Sequence, residues 1–511
     1  MQFPELPTIY RTNALGRQIA GGQPMSSRIT SRPCSSRSGS VYQLVDEPGT
    51  SEAEESEEPP YPSNFYAWYC VIVLLGVYLN SFLDRQILGL IVDPMKRTMG
   101  LSDTQVGFLM GPSFAIFYTF AGLPLGWLAD RVSRRWLITA GQIFWSIASV
   151  TFGLGRNYTQ MISARIGVGV GEASLSPSAY SMIADLFPPH RLARALSVYG
   201  IGIFVGGGLA NFIGGQFAAV YPLEEMHLLP VVGERYGWQI IFFLIALPTV
   251  PLSLLLLTLR EPIRRNLAMV RDSAGNLARR RVPVPEFVQY VSANRRTVLT
   301  HGLGFSCLAF SGYGAAAWFP ALMMRLHEWT PQQVGTYFGL TAMIFGPIGL
   351  FLGGYLGDLL ATRGLRDSKM RVGLISCVAW LPFGLAAPLM PTGWLVFALN
   401  VPAVLISAMS WGVAPAAIQE IMPNQMRGQA SAIYLLIINL IGLGLGPQVI
   451  ALLTDYVFVD PLKVHFSLVC TTGAAHVLAI ALLWPGLRSF RESRNYFDRW
   501  LAENSAVLRK S

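Results

Sequence analysis

From Tyr66 onward the chain alternates long apolar runs with short polar ones. Each apolar run is roughly 18 to 25 residues, long enough to cross a hydrocarbon core of about 30 Å at about 1.5 Å per helical residue. The runs fall near 66–91, 105–129, 136–155, 160–184, 193–219, 238–259, 298–323, 333–358, 371–390, 393–417, 428–453 and 466–487. This pattern predicts twelve transmembrane helices and an all-α membrane protein. Glycine and other small residues recur inside the runs, as in GIGIFVGGGLANFIGG at 200–215. They would weaken soluble helices, but in lipid they let helix backbones approach closely.

The segments outside the runs divide the chain. Residues 1–62 are Ser- and Arg-bearing, then acidic (DEPGTSEAEESEEPPYP), a composition that cannot bury a core and is expected to be a disordered cytoplasmic tail. It has no apolar stretch of the signal-peptide kind, although residues 6–40 resemble an organelle transit peptide. A start at Met25 or later is the other reading of this region. Two six-helix halves follow, 63–259 and 298–487, joined by a basic linker at 260–297 and closed by a tail at 488–511. With the N-terminus inside, the inner loops and C-terminal tail carry about 25 Lys and Arg against about 6 outside. The positive-inside bias therefore predicts that both termini are cytoplasmic.

Composition agrees. The 511 residues are 52% hydrophobic and 13% charged, with mean hydropathy +0.43, whereas soluble domains are usually about 25% charged. The formal charge of +9 is spread over short loops, so it reads as topology and not as a nucleic-acid surface. Five cysteines, Cys34, Cys70, Cys307, Cys377 and Cys470, lack metal-ligand or disulfide spacing. Arg outnumbers Lys by roughly eight to one, which suits a GC-rich bacterial genome and a bacterial inner membrane.

The halves repeat. Gln105-Val106-Gly107 returns as Gln333-Val334-Gly335, and Gly126-x-x-x-Asp130 as Gly354-x-x-x-Asp358 at the same offset. Asp185-Leu-Phe-Pro188 is echoed a few residues further on by Glu420-Ile-Met-Pro423. Parallel six-helix repeats belong to one transporter architecture.

The loop after the second run reads GWLADRVSRRW, residues 126–136. Arg131, Arg134 and Arg135 would serve as positive-inside anchors in any case. The spacing Gly-x-x-x-Asp-Arg-x-x-Arg-Arg also resembles the loop 2–3 motif of the major facilitator superfamily. Within that superfamily, LNSFLDRQILGLIVDPMKRTMGLSDTQVGFL and GVGVGEASLSPSAYSMIADLFPPHRLARALSVYGIGIFVGGGLA look like the Spinster family, densely from about 78 to 216 and thinly beyond. The resemblance implies a major facilitator fold of twelve helices in two six-helix halves, and transport by alternating access. It implies that Asp130 locks an inner gate against the other half and that Arg131 pairs with Asp185, with Asp358 and Glu420 as second-half equivalents of the acids. Ser133 replaces the usual Gly, Asp358 is followed by LLATRG, and Gln239 stands where Arg is common.

Four ionisable residues lie well inside the runs: Asp84 and Arg85 in the first, Arg165 and Glu172 in the fourth. Each costs roughly 2.5 to 3.5 kcal/mol at a lipid-facing helix centre, so each is expected to face a polar cavity or a partner. At about 1.5 Å per residue, Asp84 and Arg85 lie roughly 10 Å below the outer boundary, between Arg165 near 8 Å and Glu172 near 18 Å. Neighbours on a helix point about 100° apart. The predicted pairings are therefore Arg85 with Glu172, and Asp84 with Arg165 or water. The cluster reads either as a fixed neutral packing element or as a site where a carboxylate exchanges a proton during transport. The Spinster resemblance supports the second reading, since the same charged positions are implicated in that family and Arg165-x-x-x-Gly169-x-Gly171 resembles the superfamily's helix 4 Arg motif.

Arg85 or Arg165 could also hold an anionic group. Phe114, Tyr118, Phe310, Tyr313, Met323, Tyr337 and Trp411 are candidate cavity residues. The expected cargo is an amphipathic or organic anion, lysolipid- or sphingolipid-like or a carboxylate, with proton coupling and a monomer in the bilayer. A sugar-acid or carboxylate proton symporter is the alternative within the class, and a sensor or scaffold on the same fold is the alternative outside it. No catalytic triad, metal cluster, cofactor motif or nucleic-acid module is recognisable, and enzyme activity is not expected. Gly167-x-Gly169-x-Gly171 follows no strand and reads as helix packing, not as a phosphate loop.

Overall fold

The computed structural model describes residues 60–510 except 231, 265–268, 272–276, 280–283 and 424–425. The expected tail therefore lies outside the described residues up to 59, as does much of the basic linker.

Among the described residues, eleven helices are long and apolar enough to cross a membrane. The spans are α1 (Asn64–Leu90), α2 (Asp103–Ala129), α3 (Arg134–Leu154), α5 (His190–Val220), α6 (Gly237–Thr258), α7 (Arg295–His327), α8 (Pro331–Thr362), α9 (Ser368–Leu389), α10 (Gly393–Glu420), α11 (Arg427–Phe458) and α12 (Pro461–Ala502). The fourth apolar run, α4, is two helices, Tyr158–Glu172 and Leu175–Leu186, joined at Ala173 and Ser174. Counting α4 as one crossing gives twelve.

Two features depart from the hydropathy pattern. A short antiparallel hairpin, β1 (Met226–Leu229) with β2 (Gly233–Tyr236), fills the α5–α6 loop. A second, β3 (Met269–Arg271) with β4 (Leu277–Arg279), lies in the linker. Neither is long enough to leave an alternation in the sequence. The last helix also continues through Lys510, past the end of its apolar run.

The repeats have a physical basis. Ser102 and Gln105 form a capping box at the start of α2, and Thr330 and Gln333 form another at the start of α8. Each box satisfies donors that a helix end otherwise leaves unpaired. Val106 and Val334 are fully buried behind them. The next residues, Gly107 and Gly335, are where the halves touch. A Cβ on Gly107 would lie 2.7 Å from the Ala451 Cβ, and one on Gly335 would lie 2.8 Å from the Gly215 Cα. Apart from its own helix turn, no atom of the described residues lies within 4 Å of such a Cβ on Gly354, so its recurrence is not explained by packing.

Contacts between the halves gather at one end. There α2 meets α11, α5 meets α8 and α1 meets α7, with a Cβ on Gly89 falling 2.9 Å from the Ala317 carbonyl oxygen. One hydrophobic core at this end draws on both halves, including Leu90, Met95, Val106 and Met110 with Trp318, Met323, Val334 and Ile450. Towards the end bearing the Asp130 loop the core splits. One part is built from first-half residues joined by Leu443, and the other from second-half residues and the linker helix Val284–Ala293.

Gly335→Leu is expected to lower stability by about 1 to 3 kcal/mol through overpacking, while Gly354→Leu stays within about 0.5 kcal/mol. Thermal unfolding of the two purified variants checks this; equal melting points would contradict the packing argument.

Candidate functional site

Four helices converge on the buried charges. Arg85 on α1 donates to Glu172 on α4, with Nε 2.7 Å and Nη2 2.6 Å from Oε2. Ser81, one turn before Arg85, donates to the same oxygen at 2.6 Å. The Arg85 guanidinium lies over the rings of Phe82, Phe114 and Tyr118 at 5.0, 4.8 and 4.6 Å from their centroids. Phe114 also lies under Arg165, at 5.2 Å. Cations over aromatic faces are attracted by the ring quadrupole, more strongly when desolvated. Phe114 and Tyr118, expected as cavity residues, thus form the aromatic wall of the charge cluster.

Asp84 differs from its expected arrangement. Arg165 reaches its backbone carbonyl at 3.3 Å, and the Leu109 carbonyl at 3.2 Å, but not its carboxylate. The carboxylate accepts from the Ser149 hydroxyl on α3. Helical phase directs the Asp84 side chain away from α4 once Arg85 faces it. The sequence carried a signal for this partner: Ser146, Ser149 and Thr249 are hydroxyls inside apolar runs. The Ser146 and Thr249 hydroxyls bond to each other, and Asn80 donates to Thr249 at 3.3 Å. Asp84 Oδ2 and Glu172 Oε1 are both buried without a hydrogen-bond partner among the described residues.

Beside the cluster, a cavity opens between the halves, lined from α1 and α5 on one side and α7 to α10 on the other. Phe82, whose ring lies near the Arg85 guanidinium, is among its lining residues. Its polar groups are amides and hydroxyls, Gln86, Asn211, Asn400, Ser311 and Ser407, and among the described residues no charged side chain lines it. Tyr313 and Trp411 do, in edge contact at 5.2 Å. The structure places the other candidates elsewhere. Phe310 packs against the second-half core and Met323 lies inside the core shared by both halves. Tyr337 sits in an aromatic group with Trp329, Trp394 and Phe397.

The loop after α2 also departs from expectation: Arg134, not Arg131, meets Asp185. Arg134 is fully buried and donates to Asp185 at 2.5 Å, Glu261 at 2.7 Å, Ser181 at 2.7 Å and the Pro262 carbonyl at 3.0 Å. Because α3 begins at Arg134, its first side chain points back to the end of α4. Arg131, still in the turn, stacks 3.6 Å from the Trp127 ring centroid and donates to the Trp127 carbonyl. Ser133 donates to Glu261 at 2.8 Å, and Arg135 donates to the same acid through its backbone N–H at 3.2 Å. Asp130 is exposed at the end of this turn after Gly126, and its backbone carbonyl accepts from Arg264.

The second half repeats this pair. Lys369, at the start of α9, is ion-paired with Glu420 at the end of α10. The two partners are 51 residues apart, as Arg134 and Asp185 are. Asp358 is exposed. At the opposite end, Arg325 on α7 bridges Asp93 at 2.7 Å and Asp103 at 2.8 Å, and Lys96 also pairs with Asp103. This cross-half ionic group was missed in the sequence, because its members stand at run ends where charge is ordinary.

Residues 74–447 match the Major Facilitator Superfamily. The chain is 28% identical over 404 residues to an MFS-type efflux pump of Mycolicibacterium smegmatis, covering 76% of this chain and 85% of that protein. It is 26% identical over 414 residues to human protein spinster homolog 1, covering 75% and 72%. Among solved structures, a bacterial homolog to the human lysosomal transporter Spinster, in an inward-facing and unoccupied conformation, is similar with a TM-score of 0.70 at 26% identity. That match covers 85% of this chain and 99% of the other.

Two predictions concern the loop. Arg134→Gln leaves two acids without their buried cation and is expected to cost about 3 to 5 kcal/mol, whereas Arg131→Gln costs about 0 to 1 kcal/mol. Melting temperatures of the two variants should separate accordingly. Burial raises the Glu261 carboxyl, but its bonds from Arg134, the Arg135 N–H and Ser133 outweigh this and hold it below its ordinary value of 4.5. A depressed acid adds stability that is present above the unfolded value and lost as pH falls through the folded one. The melting-point gap between wild type and Glu261→Gln should therefore close on acidification below about pH 4. A gap that widens in acid would contradict the assignment.

Proposed function

This chain belongs to the major facilitator superfamily, and we propose that it moves an amphipathic organic anion across a bacterial inner membrane by alternating access, coupled to protons through Asp84 and Glu172. It is a multi-pass integral membrane transporter with Spinster proteins among its homologues. The observation that carries the proposal is the buried cluster, in which two carboxylates each keep one oxygen without a donor. A fixed packing element gains nothing from such oxygens, because unpaired buried polar atoms are costly. A proton on either carboxyl removes the negative charge that burial penalises.

The cavity supports the cargo class. Its aromatic and amide walls suit an apolar body with hydrogen-bonding groups, and the ring of Phe82, which lines it, also lies 5.0 Å from the Arg85 guanidinium. Arg85 is occupied by Glu172. Protonating Glu172 weakens that pair and frees the guanidinium fork for a phosphate or carboxylate. Proton and anion thus become linked through one side chain. The positive-inside count assigns the Asp130 loop and both termini to the cytoplasm. With the shared core taken as the outer end, the split of the core towards the loop supports an inward-facing reading. The protein works as a monomer in this reading.

Asp84→Asn and Glu172→Gln are each expected to abolish pH-driven uptake of a fluorescent lysophospholipid, or of an organic acid from a panel, in proteoliposomes. Full uptake by both variants at every imposed pH gradient would overturn the proton role.

A further inference from the structure

A second basic site lies away from the cavity, on the outer flank of the second half at the end bearing the inter-helix basic loops. It is a groove between α9 and α12, floored by Leu374, Ile375 and Trp484 and rimmed by Arg371, Arg488 and Arg491. Trp484, Arg488 and Arg491 recur at helical spacing and share one face of α12. The apolar run of α12 ends near 487, so along this face the groove passes from hydrocarbon-facing residues to arginines within about two turns. Trp484 is 68% exposed and the Arg488 side chain is 84% exposed. An exposed Trp just below exposed arginines is the arrangement of a membrane–water boundary.

The arginines are organised by one acid. Asp367, only 1% exposed, accepts from Arg371 at 2.7 Å and from Arg491 at 2.8 Å. Two guanidinium forks thus stand beside one carboxylate, leaving a net positive charge, and Arg488 pairs with the exposed Glu492 at 3.1 Å. Each guanidinium has five N–H donors, more than these bonds use. The charge cluster of α1 and α4 does not touch this groove.

We propose that this groove binds an anionic phospholipid of the bilayer. Its phosphodiester lies against Arg371, Arg488 and Arg491, and one acyl chain lies along Leu374, Ile375 and Trp484. Arginine forks match phosphate oxygens in pairs, and the apolar floor has no use for a free inorganic ion. The bound lipid is a structural ligand that ties α9 to α12, distinct from the transported cargo.

The test uses the full-length protein in mixed micelles of phosphatidylglycerol and phosphatidylcholine, with retained lipids counted by native mass spectrometry. Wild type is expected to retain phosphatidylglycerol selectively. Arg488→Gln combined with Arg491→Gln, which leaves Asp367 its Arg371 partner, should reduce that retention about tenfold or more. Arg97→Gln, on an exposed residue at the opposite end, should not change it. Phosphatidylglycerol should raise the melting temperature of wild type where inorganic phosphate and glycerol phosphate do not. A photoactivatable phosphatidylglycerol should label peptides containing 371–375 or 484–491 of wild type, a readout that needs no variant to fold. Equal retention of the two lipids by wild type, unchanged retention by the double variant, or labelling confined to other segments would each overturn the proposal.

Discussion

A charge inside a hydrocarbon layer has to be paired or kept in polar surroundings, and this requirement organises the first half of the molecule. Placing Arg85 in α1 obliges α4 to bring Glu172 within 2.6 Å, and three aromatic rings close around the guanidinium. Arg165 takes the backbone carbonyls of Leu109 and Asp84 instead of a carboxylate. Asp84 then turns to Ser149, which draws α3 into the same group. Four helices are thereby registered against one another by polar contacts, in a setting where apolar contact alone discriminates weakly between helix faces.

The same economy appears at the two ends. Where the halves share a core, backbones approach at Gly89, Gly107 and Gly335, and Arg325 spans from α7 to the α1–α2 region through Asp93 and Asp103. At the other end, the ion pairs Arg134–Asp185 and Lys369–Glu420 each stay within one half. Pairs that hold a half together can persist while the halves move. Pairs that cross between halves have to break. In the proposed cycle, opening the outer end therefore costs the Arg325 contacts and the glycine contacts, while each half moves with its own end pair intact.

The Spinster resemblance and the geometry inform each other. The superfamily's loop motif implied a gate acid and an arginine partner in the α2–α3 loop, and the structure gives the buried bond to Arg134. The local reason is where α3 begins. Ser133, which replaces the usual glycine, is used by Glu261, so the substitution is absorbed by an acid from beyond α6. The bifurcated hold of Asp367 on Arg371 and Arg491 has no counterpart in the recognised motif.

The membrane class, the crossing pattern and the internal repeat were legible in the sequence, because transfer free energy and helical period act locally and sum along the chain. The Arg85–Glu172 pair was also legible, since depth follows from residue count at a fixed rise. Tertiary structure alone decided the rest. Ser149 as the partner of Asp84, Arg134 as the partner of Asp185, the Arg325 bridge and the Asp367 clamp join residues between 4 and 232 positions apart. Which of several neighbouring polar groups meets which is set by helix start points, rotation and crossing, and a difference of one residue turns a side chain by about 100°. Hydropathy summed along a chain contains no information about that angle between helices.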